Sequence, residues 1–205
     1  GRLRLENLEG EAGPAAAADL EAAQAEVDRL GRLVDGLLAL ARADRGARAP
    51  APVDVAAVVA ERVGTWEALA AEQDVALTGH APPGTVALVT PGTLEQVLDN
   101  LIENALEATP AGRGVQVRAV RTPAWVEVHV TDQGPGLAPE ERERAFDRFW
   151  RSPTAGWDGT GLGLAIVRRL LRADGGDAEL AEAPGGGVDA VVRLRPGRHD
   201  PPRTL

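Results

Sequence analysis

Two glycine clusters carry the residue types best suited to chemistry. The first is Asp132-Gln-Gly134-Pro-Gly136; the second, after a stretch bearing Arg and Trp, is Gly159-Thr160-Gly161-Leu162-Gly163-Leu164. A carboxylate in the first cluster can accept a hydrogen bond from the amino group of adenine, where guanine would present an oxo group. Glycines beside it let a flat ring approach the backbone. In the second cluster, glycines opening a helix offer N–H groups and the positive end of the helix dipole to phosphates, with the Thr160 hydroxyl as an added donor. The pair reads as a nucleotide site.

A third group supports that reading. Asn100, Glu103, Asn104 and Glu107 recur at a spacing of three and four, so they share one helix face. Asn competes with the helix through its own side-chain hydrogen bonds and is a poor choice for a merely solvated position. The side-chain oxygen of Asn104 is a suitable hard ligand for a magnesium ion bridging phosphate oxygens. Arg148 and Arg151, between the glycine clusters, are placed to neutralise terminal phosphates. Trp150 and Trp157 lie in the same stretch, either to pack a loop or to touch a ligand.

These residues need particular elements to hold them. Val126, Val128 and Val130 alternate with Glu127 and His129, so Ala124–Thr131 reads as a strand delivering Asp132, in a hairpin with Val115–Arg121. The Asn-bearing helix has Thr90 as its expected cap, Pro91 at its first position, and an apolar stripe of Leu94, Val97, Leu98, Leu101, Ile102, Ala105 and Leu106. Leu162–Arg172 reads as a helix stopped by Gly175-Gly176. Around these stand short strands at Pro52–Val55, Val75–Leu77 and Thr85–Val89, a helix carrying Val55 to Leu69, and a turn after Val75–Leu77 that holds His80. A charged helix over Glu140–Arg148, a loop over Phe149–Gly159 and a last hairpin, Ala178–Ala181 with Val188–Leu194 around Gly185–Gly187, complete the pattern.

Upstream, Ala15–Ala43 reads as one amphipathic helix, roughly 40 Å long at about 1.5 Å per residue, whose apolar stripe needs a partner helix. The expected division is a helical part over 1–44, a linker over 45–52, a main domain over 53–196 and a tail over 197–205.

Composition removes several classes. There is no Cys, hence no thiolate metal site and no cysteine nucleophile, and the three His are far apart, which argues against zinc. All 22 basic residues are Arg, so a phosphate loop or Schiff base built on Lys is excluded. A net charge of −9 argues against nucleic acid or direct contact with an anionic membrane. No apolar run reaches the roughly 20 residues of a membrane span. A dinucleotide fingerprint at Gly161-Leu162-Gly163 is disfavoured, because a polar loop rather than a strand precedes the glycines.

Asn100-Leu-Ile-Glu-Asn104-Ala, Asp132-Gln-Gly-Pro-Gly136-Leu137, Phe146-Asp-Arg-Phe149-Trp-Arg and Gly159-Thr-Gly-Leu-Gly-Leu164, in this order and spacing, resemble the N, G1, F and G2 boxes of sensor histidine kinases. The resemblance implies an α+β fold, a two-layer α/β sandwich of the Bergerat type, holding ATP and magnesium under a mobile lid at 150–158. It implies Asn104 as magnesium ligand, Asn100 as a polar neighbour on the phosphate side, Asp132 as adenine reader, and Gly134, Gly136 and Leu137 as the turn at the base. Arg151 would contact the terminal phosphate, with Arg148 nearby, and Gly159 through Leu164 would cradle the phosphates. It further implies a response regulator as partner, a homodimer through the helical hairpin, and a place as the cytoplasmic portion of a membrane-anchored sensor. The phosphoacceptor histidine is expected upstream of Arg2–Leu8, since His80 lies in a turn, His129 lies on the polar face of a strand, and His199-Asp200-Pro201 mimics the motif but sits in a tail with no helix. Glu107 and Ala108 stand where the family often has a basic residue and an aromatic one. Two other readings are a degenerate ATP-sensing module and an ATPase of the wider superfamily.

Overall fold

The computed structural model describes residues 49–152 and 160–197; the expected helix over Ala15–Ala43, Gly159 and the tail beyond Gly197 lie outside them. In chain order the elements are β1 (Ala51–Asp54), α1 (Val55–Glu72), β2 (Ala76–His80), β3 (Val86–Val89), α2 (Thr93–Ala108), β4 (Gly114–Arg121), β5 (Val126–Asp132), α3 (Pro139–Arg144), α4 (Gly163–Ala173), β6 (Asp177–Glu182) and β7 (Val188–Pro196). The strands form one mixed sheet in the order β1-β3-β7-β5-β4-β2. Strand β6 pairs the first part of β7 on the edge where β3 pairs its end. Among the described strands, only β2 and β4 run parallel.

Period-two alternation decides which face is covered. On β5, Val126, Val128 and Val130 are buried while Glu127, His129 and Thr131 point away. Strands β4 and β7 repeat this with Val115, Val117 and Ala119, and with Ala190, Val192 and Leu194. Helices α1, α2 and α4 pack on that apolar face, giving the two-layer α+β arrangement expected. The opposite face is polar and cross-linked: Arg193 donates to Glu127 and Glu179, and Asp189 bonds both the His129 ring and the Thr131 hydroxyl.

Helix α2 is the centre of the core. All seven residues of its predicted stripe are buried, the Leu, Val and Ile side chains each contributing about 1.5–3 kcal/mol relative to exposure. Its start differs from expectation. Gly92, with φ +89°, precedes the first helical residue Thr93, and no side chain caps the helix. Thr90 is engaged elsewhere: its N–H and its hydroxyl both bond the buried carboxylate of Asp174, at 2.7 Å each, at the end of α4. A partner 84 residues away in sequence thus takes the group that local pattern would assign to capping. Helix α1, by contrast, is capped locally, Asp54 Oδ1 accepting from the N–H groups of Ala56 and Ala57.

Two further boundaries move. His80 is the last residue of β2, beside Arg118 of β4, rather than part of the turn. The charged helix ends at Arg144, because the chain turns at Ala145 to bury Phe146. Among the described residues, no helix is long and apolar enough to cross a membrane.

Candidate functional site

The strand alternation that buries Val126, Val128 and Val130 also turns Asp132 toward the helices, where a carboxylate needs a reason to be. Asp132 is 6% exposed and lies at one end of a cavity of about 320 Å³ enclosed by α2, the turn after β5, residues 150–152, the start of α4, and β6–β7. Its Oδ1 accepts hydrogen bonds from the N–H of Gly134 at 2.8 Å and of Val188 at 3.1 Å. No hydrogen bond from the described residues reaches Oδ2. Burial pushes its pKa up, against the pull of those two N–H groups and with a smaller push from the charge of Asp189.

The glycines of this end are joints between elements. A Cβ on Gly134 would stand 2.6 Å from the Ala108 carbonyl at the end of α2, so the turn meets the helix backbone to backbone. Gly187, with φ +89°, is the closest joint: a Cβ there would run into the Asp132 carbonyl oxygen and reach 2.7 Å from Oδ1. Gly136 packs on Gly187 in turn. The walls at this end are aliphatic, including Ala108, Val130, Leu137, Leu180 and Ala190.

At the other end, α2 meets the first turn of α4. A Cβ on Gly163 would lie 3.1 Å from Asn100 Oδ1 and 3.5 Å from Asn104 Nδ2, so the two asparagines sit directly under the helix start. Asn100 donates its amide to the Gln96 carbonyl at 2.8 Å, which fixes its oxygen outward from its own helix turn. Among the described residues, helix α4 has no side-chain cap and no acidic residue in its first turn, so none of them neutralises its dipole there. The Thr160 hydroxyl lies 3.4 Å from the Leu162 N–H. Gly161, with φ +68°, accepts from the Phe149 N–H at 2.8 Å and touches the Phe149–Trp150 backbone so closely that a Cβ would come within 2.8 Å.

Of the residues singled out from sequence, Asn100, Asn104, Asp132, Gly136 and Leu137 line this one cavity, as do Arg151, Thr160, Gly161, Leu162, Gly163 and Leu164. Gly134 lies just behind the lining, and Arg148 is exposed outside it. Trp150 forms part of the wall. Gly187 and Val188 were missed. Their signal was present, since a run of three glycines in a hairpin exceeds what a turn needs, but nothing local ties it to Asp132, 55 residues earlier. Among the described residues no group of three His, Asp or Glu side chains could hold a metal ion alone.

Four likenesses accompany this geometry. The model of the family described as histidine kinase-, DNA gyrase B-, and HSP90-like ATPase matches residues 90–198. The chain is 34% identical over 174 residues to the sensor-like histidine kinase SenX3 of Mycobacterium tuberculosis, covering 82% of this chain and 42% of SenX3. It is 37% identical over 185 residues to the signal transduction histidine-protein kinase/phosphatase MprB of Mycolicibacterium smegmatis, covering 86% of this chain and 36% of MprB. Among solved structures, full-length ShkA in complex with AMPPNP superposes with a TM-score of 0.73 at 29% identity, over 94% of this chain and 42% of that one. The chain spans less than half the length of these proteins.

Proposed function

Because the chain belongs to the family of histidine kinase-, DNA gyrase B-, and HSP90-like ATPases, we propose that its cavity binds Mg–ATP as the catalytic part of a sensor histidine kinase. The γ-phosphate would go to a histidine outside the described residues and be relayed to a response regulator. One observation carries this reading: a single cavity joins a buried carboxylate, held by two backbone N–H groups through one oxygen only, to an uncapped helix start lying on two asparagines.

In this reading Asp132 Oδ2 accepts from the adenine amino group, and the aliphatic walls take the ring faces. Gly134, Gly136 and Leu137 shape the turn beside the base. The N–H groups at Thr160–Leu164 and the dipole of α4 receive the phosphates. Arg151, on the wall, meets the terminal phosphate, and Arg148 adds positive charge from outside the lining. Magnesium fits Asn104: its side-chain oxygen lines the cavity at the start of α4 and is a hard donor that would hold the ion beside phosphate oxygens and waters, since this ion needs few protein ligands. It would offset phosphate charge there. Neither described histidine serves as acceptor, since His80 ends an edge strand and His129 is bonded to Asp189 on the far face of the sheet. The curated relatives are sensor kinases, which favours the kinase over a degenerate ATP-sensing module. A dimer through the helical hairpin belongs to the same proposal.

Calorimetric titration decides it. ATP should bind, more tightly with magnesium, and a separately supplied hairpin bearing the phosphoacceptor histidine should become labelled from γ-labelled ATP. Absence of ATP binding with and without magnesium would overturn the assignment.

A further inference from the structure

Arg168 is a mostly buried cation that the nucleotide reading does not use. It stands in the second turn of α4, its side chain 15% exposed, with its guanidinium carbon 3.7 Å from the centroid of the Phe146 ring. Nη1 and Nη2 donate to the two oxygens of Glu143 on α3 at 2.8 and 3.1 Å, and Nη2 reaches the Ala178 carbonyl of β6 at 3.4 Å. That fork holds the carboxyl of Glu143 below the usual carboxylate range although Glu143 is exposed. Nε is buried and makes no hydrogen bond, with Asp177 Oδ1 3.7 Å away. A guanidinium placed for hydrogen bonding alone would satisfy Nε; this one stands over a ring.

The ring it covers opens the segment that forms one wall of the cavity. Phe146 is buried, Trp150 donates to the Asp147 carbonyl at 3.2 Å, and Phe149, at φ +64°, donates to Gly161 just before α4. Residues 146–149 are therefore fastened at both ends, by Arg168 of α4 at the first and by Gly161, two residues before that helix, at the last. Arg151 follows directly. The same helix carries the cavity's uncapped first turn.

We infer that Arg168 is a positioning residue for the phosphates: by holding Phe146 and Glu143 against α4, it sets where the Trp150–Arg151 wall stands relative to the first turn of that helix. The inference rests on the reading of the cavity as an ATP site. A merely stabilising Arg168 would affect binding at both ends of the cavity alike, whereas a positioning one acts on the phosphate end alone.

Calorimetric titration with Mg–ATP and, separately, with adenosine distinguishes the two, using the wild type, Arg168→Ala, Arg168→Lys and Arg172→Ala, each checked by thermal melting. Arg168→Ala should bind ATP roughly tenfold more weakly with adenosine affinity unchanged. Arg168→Lys keeps a cation over the ring but loses the two-pronged fork, and should fall only about threefold. Arg172→Ala removes an exposed arginine paired with Asp177 one turn further along, and should change neither ligand. Equal weakening of ATP and adenosine in Arg168→Ala, or a lower melting temperature with unchanged ATP affinity, overturns the inference. Should Arg168→Ala fail to fold, Arg168→Lys decides: a selective loss of ATP supports positioning, and none refutes it. A wild type that binds adenosine but gains nothing from the phosphates defeats this inference while leaving the base end standing. A wild type that binds neither ligand defeats the proposed function itself.

Discussion

The two ends of the cavity are built in different ways. At the Asp132 end, main-chain atoms hold the key side chain: the N–H groups of Gly134 and Val188 grip one carboxylate oxygen, and Gly187 presses on the same residue from just before β7. At the α4 end, geometry comes from how two helices and the Phe146–Arg151 segment lie against one another, through Gly163 on the asparagines, Gly161 on Phe149, and Arg168 on Phe146. A site gripped by backbone has one shape as long as the sheet is intact. A site made by packed elements can change shape when one of them shifts, which suits the end where phosphate would be handed on.

Substitutions can break or sharpen this contrast. The largest effect is expected at the backbone joint. Gly187→Ala forces a Cβ into the Asp132 carbonyl from a left-handed backbone, so urea unfolding should show a loss of about 1–3 kcal/mol and ATP binding should vanish. A variant of unchanged stability would remove the claim that β7 fixes Asp132.

Asp132→Asn comes next and separates shape from charge. An amide oxygen can still accept from Gly134 and Val188, but an amide directed at the adenine amino group cannot accept from it if its oxygen faces inward, so ATP affinity should fall by about 1.5–3 kcal/mol in calorimetry. Stability should move the other way. Because burial raises the folded pKa of Asp132, its favourable contribution is fully present below the unfolded carboxylate value of about 3.9 and is lost as pH rises through the folded pKa. At neutral pH the Asn variant should then be at least as stable as the wild type, and its advantage should shrink on acidification. An advantage that grows toward low pH would contradict the direction of the shift.

Asn104→Ala tests the other end. Loss of about 1–1.5 kcal/mol in ATP affinity is expected with magnesium present and little without it. Unchanged magnesium dependence would move the metal ligand elsewhere. The smallest effect on binding is expected for Trp66→Phe, which breaks the 2.8 Å bond from Trp66 Nε1 to Asp99 between α1 and α2. Thermal or urea unfolding should report about 0.5–1.5 kcal/mol, with ATP affinity unaltered. A fall in affinity would show that the outer helix also shapes the site.

Much of this was legible in one dimension where a period was involved. The stripe of α2 and the alternation of β5 are written every few residues, and they place Asn100 and Asn104 beside the apolar stripe and Asp132 at the end of its strand without help from distant chain. What was not legible depends on contacts between remote segments. Thr90 reads as a cap until Asp174 is brought beside it, and Gly187 reads as part of a turn until β7 lies along β5. Gly134, Gly161 and Gly163 were read as room for a ligand. Each also makes room for another part of the protein, Ala108, Phe149 and the asparagines respectively, and only the folded chain displays that second use.

The Asp174–Thr90 bond has a mechanical consequence. Helices α2 and α4 run antiparallel, and the bond joins the entry of one to the exit of the other, while the start of α4, at Gly163, rests on Asn100 and Asn104 further along α2. Two rungs, one at each end of α4, oppose sliding: a shift of one helical turn, about 5.4 Å, would break both at once. What remains is tilt or roll about the shared axis. Any rearrangement transmitted through α4 must therefore arrive at the phosphate end as a change of angle rather than of register.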